Sequence, residues 1–238
     1  MKTIDYFDER FYLINDRYLP SVTTILGRFV EPYLLKWYGD NGTERALWKS
    51  EQAKRKGSTI HNGIYLLSKG ITLHYSDYKQ EEWLQIMRFI EFYKALKPKV
   101  IQSEYTVYDE NLGYAGTLDL AIELEGGSYN LGKSKEVELK KGIYIVDYKT
   151  GSEGYKYFAQ LGSYAHAYEQ LSGNDVEGTM LLYLNSNTKQ GWKVEYRSRD
   201  RWLRDFEVFL NYLNIYLDEG EDKPKQIELP LTLTLEEL

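Results

Sequence analysis

The chain has 238 residues, ample for one large domain with a real hydrophobic core, and it has no cysteine, which excludes disulfides, thiolate-bound zinc and iron–sulfur clusters. Its formal net charge of −6 speaks against a non-catalytic nucleic-acid binder but suits an enzyme that concentrates carboxylates around a metal. Met1 to Arg10 carry no apolar run after their charges, and no later stretch has the length of a membrane span, so the expectation is a cytoplasmic protein without secretion signal or membrane contact.

Residues 1–20 read as a short hairpin or extended arm, with Phe11 to Ile14 before Asn15-Asp16. Ser21 is a natural N-cap for a helix over 22–28, and Pro32 a first-turn residue for a helix through Trp37. Asp40-Asn41-Gly42 reads as a turn, and Thr43 as the cap of a helix that ends in Lys54-Arg55-Lys56-Gly57. Ser58 would open a new helix, on which His61, Ile64, Tyr65 and Ser68 neighbour one another. Asp77 and Gln80 resemble a capping box. Behind them Trp83, Ile86, Met87, Ile90, Tyr93 and Leu96 form an amphipathic stripe that Lys97-Pro98 stops.

The period then changes from helix to strand. Over 100–108, Gln102, Glu104 and Thr106 alternate with Tyr105 and Val107; 109–114 is a hairpin turn. Over 117–124, Leu118, Leu120, Ile122 and Leu124 face one way, and Thr117, Asp119, Ala121 and Glu123 the other. The polar, glycine-bearing stretch 126–141 is an exposed loop or hairpin extension. Next comes a strand over 143–149 with Ile143, Ile145, Asp147 and Lys149 on one face and Tyr144, Val146 and Tyr148 on the other. A helix over 155–171 buries Phe158, Leu161, Ala165 and Tyr168, with Gln160 and Tyr164 on an adjacent face. Strands over 179–185 and 192–197 follow, then a helix capped by Asp200 that carries Trp202, Phe206, Phe209, Leu210, Leu213 and Leu217. The order α-β-β-β-α-β-β-α is that of an α/β sandwich with an N-terminal helical part. The expected division is 1–98 for the arm and helices, 99–220 for the core and 221–238 for an acidic tail, forming one compact domain overall.

Chemistry gathers around the strand 143–149. An aliphatic face that ends in a carboxylate and an ammonium marks a site at the sheet's rim. Glu104 and Asp119 sit on strands that neighbour each other in this order, and His61 lies on a helix just before the sheet. Carboxylates with one imidazole and one lysine suit a hard cation, Mg²⁺ or Mn²⁺. That set supplies a bound metal, an activated water and a cation near phosphorus, which are the requirements of phosphodiester hydrolysis. Taken singly, each residue has a plainer reading. His61 alone suits a core or surface position, Glu104 a solvated strand, Gln160 and Tyr164 a helix surface. Lys54, Arg55 and Lys56 read as a solvated helix end, with phosphate contact the alternative. Trp37 and Trp48 read as core rather than as base-stacking platforms.

Three groups of residues carry a family resemblance. Gly116-Thr117-Leu118-Asp119, Ile145-Val146-Asp147-Tyr148-Lys149-Thr150-Gly151 and Gln160-Leu161-Gly162-Ser163-Tyr164-Ala165 resemble the core motifs of the PD-(D/E)xK nucleases, and most of all their RecB-like exonuclease branch. Pro20-Ser21-Val22-Thr23-Thr24-Ile25-Leu26 and Gly57-Ser58-Thr59-Ile60-His61 resemble that branch's N-terminal motif with its metal-binding histidine. The resemblance spans roughly residues 20–172 in the family's order. It implies a restriction-endonuclease-like α-β-β-β-α-β core with a mixed central sheet flanked by helices. It also implies metal ligation by His61, Asp119 and Asp147, catalysis by Lys149, and substrate steering by Gln160 and Tyr164. Glu104 is carried over more weakly, as the acidic residue that serves a second metal in some relatives. Without cysteines there is no cluster, and without helicase motifs the chain looks like a stand-alone exonuclease of the phage or mitochondrial genome-maintenance type. The expected partner is DNA, single-stranded ends above all, stacked on some of the 23 tyrosines, with a recombination or replication protein as a second partner in a bacterial or phage-infected cell. Two other readings are a structure-selective endonuclease with the same site and a non-catalytic interaction module on the same scaffold. The second is disfavoured because every expected catalytic residue type is present.

Overall fold

A computed structural model describes residues 2–6, 9–30, 32–133, 135–151 and 154–220; the expected acidic tail lies outside them. The N-terminal arm is an antiparallel sheet of β1 (Lys2–Tyr6), β2 (Glu9–Ile14) and β3 (Arg17–Pro20). Its second turn places Asn15 and Asp16 at φ 45° and 59°, the left-handed pair that a two-residue hairpin needs and that these side chains tolerate. Ser21 caps α1 (Val22–Gly27) as expected, accepting the Thr24 N–H at 2.9 Å.

Helix α2 (Pro32–Asn41) takes in two of the residues expected to turn, and α3 (Thr43–Ser68) runs unbroken through the expected stop at Gly57. Two local facts explain the difference. Ser58 and Thr59 turn their hydroxyls back onto the carbonyls of Lys54 and Arg55, each at 3.1 Å, instead of capping a new helix. Gly57 is a point of close approach: a Cβ there would lie 3.3 Å from Thr150 Oγ1, so the helix crosses directly over the end of the central strand. In α4 (Gln80–Leu96) the start is held by Glu82, which accepts the Lys79 N–H at 2.8 Å, not by Asp77 and Gln80. Its buried face is Ile86, Phe89, Phe92 and Leu96, with Glu82 and Gln85 drawn in, while Met87 and Tyr93 are exposed.

The main sheet has the order β10-β9-β8-β5-β4, built from β4 (Lys99–Asp109), β5 (Tyr114–Leu124), β8 (Gly142–Lys149), β9 (Val176–Tyr183) and β10 (Lys193–Ser198). Strands β8 and β9 are parallel, joined by the crossover helix α5 (Lys156–Ser172); the other pairs are antiparallel. The stretch 126–141 forms the side hairpin β6 (Gly127–Asn130) and β7 (Glu136–Leu139). Helix α6 (Arg199–Asp218) begins after Ser198, which takes the capping position expected of Asp200. The expected mixed α/β architecture is present, with five strands in the sheet and six α-helices among the described residues. One face packs Ile145, Leu161, Ala165, Trp202 and Phe209 with α1, α5 and α6; the other packs Tyr144, Val146, Tyr148, Ile60 and Phe89 with α3 and α4.

The sheet splits where the chemistry sits. Pairing of β5 with β8 runs from Leu124–Gly142 to Leu120–Val146 and stops there. Beyond it, the Tyr148 N–H donates to Asp119 Oδ2 at 2.9 Å instead of to a strand carbonyl. At the same point the expected alternation of β5 slips: Leu118 packs with Ala121 on the α5 side, and Leu120, Ile122 and Leu124 on the α3 side. The far end of β5 meets the N-terminal arm instead, through a parallel bridge from Ser21 to Ala115 and a 2.9 Å bond between Tyr12 Oη and Thr117 Oγ1.

Candidate metal centre

Three elements bring one ligand atom each to the split. His61 comes from α3, Glu104 from β4 and Asp119 from β5; their donor atoms lie within 4.8 Å of one another. His61 Nδ1 is 3.3 Å from Asp119 Oδ1 and 3.9 Å from Glu104 Oε1. The other ring nitrogen, Nε2, lies 3.0 Å from the Tyr148 carbonyl. A carbonyl only accepts, so Nε2 carries the hydrogen and Nδ1 is the atom turned to the carboxylates. This is the arrangement of a ligating histidine, with its second nitrogen fixed by a backbone oxygen. The ring also packs on Tyr148, centroids 4.4 Å apart.

Glu104 Oε1 is buried without a hydrogen-bond partner. A carboxylate oxygen with no donor, beside a second carboxylate and a ring nitrogen, can serve a hard divalent ion once His61 gives up its extra proton. The donor set therefore fits a hard divalent ion. Glu104 also sits at φ 49°, in left-handed backbone, between the register pairs Ser103–Leu120 and Tyr105–Leu118. That conformation costs a side-chain-bearing residue about 1–2 kcal/mol, and it aims the carboxylate at Asp119. Glu104→Gly is expected to melt at a higher temperature than wild type when cation-free, and to lose most of the stabilisation a divalent ion confers. Paired thermal melts in EDTA and in excess Mg²⁺ measure both; a lower cation-free melting temperature would show that the backbone stores no strain.

Asp147 and Lys149, on β8, form a second cluster next to the first. Lys149 Nζ is 2.7 Å from Asp147 Oδ2 and donates to Gln160 Oε1 at 3.2 Å. Gln160 Nε2 in turn donates to Tyr164 Oη at 3.0 Å, and the ammonium lies 4.2 Å from the centre of the Tyr157 ring. Helix α5 thus holds the lysine from two side chains, Gln160 and Tyr157, with Tyr164 bracing Gln160. Gly116 makes room for this: a Cβ there would run into the Tyr164 ring. Asp147 is turned toward Lys149 and stands outside the three-residue ligand group.

The proton inventory follows from burial and crowding. Burial works against a charge on His61, but the carboxylates of Asp119, Asp147 and Glu104 outweigh it and hold its pKa at about 9. Burial and the Asp119 charge lift Glu104 to about 7, with His61 opposing. Burial lifts Asp147 to about 6 against the pull of Lys149. Each group holds its proton more tightly folded than unfolded. The His61 contribution is complete below its ordinary 6.5 and disappears as pH rises through about 9. Those of Glu104 and Asp147 disappear as pH rises through about 7 and about 6, so all three act in one direction. Cation-free protein is expected to melt higher at pH 5.5 than at pH 8.5. Saturating Mg²⁺ should oppose that trend, because binding needs those protons gone. Melts across that range with EDTA check it; a melting temperature that climbs toward pH 8.5 would contradict the inventory.

The basic trio is divided by the continuous helix. Lys54 lines a cavity beside the metal centre, whereas Arg55 and Lys56 line a separate depression with Trp48, and Lys56 pairs with Glu81 at 3.1 Å. Trp48, expected in the core, is 61% exposed. Two contributors carry no sequence signal: the Tyr148 carbonyl that orients His61, and Arg10, which the arm's fold brings to the site's mouth. Tyr157 does carry one, since it lies three residues before Gln160 on the same helix.

No family model matches the chain, and no curated protein does. Among solved structures it matches a candidate exonuclease from Eubacterium rectale at a TM-score of 0.40 and 12% identity, over 75% of this chain and 72% of that one. Among the described residues no helix is long and apolar enough to cross a membrane.

Proposed function

We propose that this chain is a metal-dependent deoxyribonuclease of the RecB-like PD-(D/E)xK type, an exonuclease that hydrolyses phosphodiester bonds at single-stranded or frayed DNA ends. The observation that carries this reading is the convergence of His61 Nδ1, Glu104 Oε1 and Asp119 Oδ1 beside the buried Asp147–Lys149 pair. The order of the strands, the split between β5 and β8 and the motifs around Asp119, Asp147 and Gln160 support it.

His61, Glu104 and Asp119 would hold the ion. When bound, it supplies positive charge against phosphate oxygens and acidifies water at neutral pH. The protein does the positioning. Tyr148 fixes both first ligands, its N–H holding Asp119 and its carbonyl holding His61. Lys149, clamped by Asp147 and Gln160, directs its ammonium at the phosphoryl group, where charge grows as water oxygen bonds to phosphorus and the opposite P–O bond breaks. Gln160 and Tyr164 line the cavity onto which His61, Glu104 and Asp119 open, where they would contact the bound strand.

The test uses end-labelled linear single strands and a circular single strand, each with Mg²⁺, Mn²⁺ or EDTA. Linear strands are expected to shorten with either metal, circles to stay intact, and nothing to be cut in EDTA. Cleavage in EDTA, or undiminished cleavage by Asp147→Ala, would overturn the assigned chemistry; cut circles would overturn the exonuclease assignment.

A further inference from the structure

We propose that the substrate strand reaches the metal centre along one continuous groove on α3, with Arg10 as a phosphate contact at its midpoint. This rests on the nuclease reading above and extends it to the path of the strand.

The metal centre opens into a cavity of about 520 Å³. A second cavity of about 990 Å³ adjoins it, and Arg10 and Thr23 line both. Helix α3 forms one wall throughout. Leu47, Glu51 and Lys54 line the outer cavity, and Ser58, His61 and Tyr65 the inner one. These positions recur every three or four residues, so they form a single stripe along the helix. From Leu47 to Tyr65 the stripe runs ~27 Å at ~1.5 Å per residue. A stacked single strand advances ~3.4 Å per nucleotide, so the groove takes up to about eight.

Arg10 is placed by its backbone. Its N–H donates to Thr24 Oγ1 at 2.8 Å and its carbonyl accepts the Ser21 N–H at 2.8 Å, which pins β2 to the start of α1. The side chain is half exposed and meets Asp5 only through Nε, at 3.3 Å. Among the described residues the two terminal nitrogens of the guanidinium make no hydrogen bond or ion pair, leaving a planar pair of donors at the junction of the cavities. Tyr38 in the outer cavity and Tyr65 in the inner one supply aromatic rings for bases.

The outer cavity is not strongly basic. Arg10, Arg28 and Lys54 are balanced there by Asp5, Glu9 and Glu51. Such a groove suits a strand held by a few phosphates, hydroxyls and rings. Its salt dependence should be shallow, about −0.7 in log K per log salt for each phosphate neutralised.

The test is steady-state cleavage of 5′-fluorescein oligothymidylates of 2 to 20 nucleotides by wild type, Arg10→Ala and Glu51→Gln. Glu51 is an exposed helix residue, so its variant keeps the test valid should the arginine variant fold poorly. For wild type, kcat/KM should rise with length and level off near eight nucleotides. Arg10→Ala should raise KM for octamers about tenfold with kcat within twofold, and Glu51→Gln should lower KM by removing a repelling carboxylate. Unchanged KM in both variants, with wild type active, would sink the groove and leave the nuclease reading standing. No cleavage by wild type at any length, with either metal, would instead sink the nuclease reading.

Discussion

Replacing Lys149 by methionine is expected to slow strand cleavage by about 10²–10³-fold while cation binding persists. Removing one well-placed donor from a catalytic centre costs about 10²–10³ in rate, and Lys149 is a cation fixed by Asp147 at 2.7 Å and Gln160 at 3.2 Å. His61, Glu104 and Asp119 stay in place, so calorimetry should still detect the divalent ion. The substitution has a second consequence. Asp147 has a side chain only 3% exposed, and without the ammonium its charge is stranded. Breaking a buried pair on one side costs about 3–5 kcal/mol. The variant should therefore lose stability at pH 8 and recover part of it at pH 5.5, where Asp147 takes up a proton. The double variant Lys149→Met/Asp147→Asn removes both charges, so its stability should return toward wild type while cleavage stays absent. Melting curves and single-turnover cleavage separate the two effects. A double variant that cleaves at the wild-type rate would remove Lys149 from the mechanism.

Trp202→Ala is expected to cost as much stability as breaking the buried pair. Trp202 is fully buried at the start of α6, its indole N–H donates to the Val176 carbonyl at 3.1 Å, and it packs in the same core cluster as Phe206, Phe209 and Tyr168. Truncating a buried tryptophan costs about 3–5 kcal/mol, or roughly 6–20 °C in melting temperature for a chain of this size. The Val176 carbonyl keeps its 2.9 Å bond from Arg199, so the loss is one of packing, not of an abandoned acceptor. Helix α6 supports the site at one remove. It lies against α5 so closely that a Cβ on Gly162 would come 2.6 Å from Phe206 N, and α5 carries Gln160 and Tyr164. Cleavage per folded molecule should change little at 20 °C and collapse near 37 °C as the fold is lost. An unfolding free energy lowered by less than about 1 kcal/mol would mean that the site fills in or is less tightly packed than described.

The legible parts of this molecule are those in which local pattern and tertiary setting agree. Strand β8 puts Ile145 on one layer and Tyr144, Val146 and Tyr148 on the other, as its alternation predicts. The places of His61 on α3, Asp119 on β5 and Asp147 and Lys149 on β8 are legible in the same way. The misreadings have particular causes. Gly57 looks like a helix stop because glycine favours one, but here its missing side chain lets α3 pass over Thr150. Once α3 is continuous, Lys54 and its two basic neighbours must point to different faces. In α4, apolar Met87 and Tyr93 face water while Gln85 is buried, so hydrophobicity alone rotates the stripe. The left-handed Glu104 and the placement of Arg10 depend on how β4 meets β5 and where the arm docks, and no short window of residues records either.

The central claim is that an imidazole, a glutamate and an aspartate from three separate elements share one divalent ion. The most direct measurement is an anomalous difference map from crystals soaked in Mn²⁺. The account predicts a peak within about 2.5 Å of His61 Nδ1, Glu104 Oε1 and Asp119 Oδ1 together. No peak at that point in well-soaked crystals, or a His61 ring flipped to release the Tyr148 carbonyl, would contradict it.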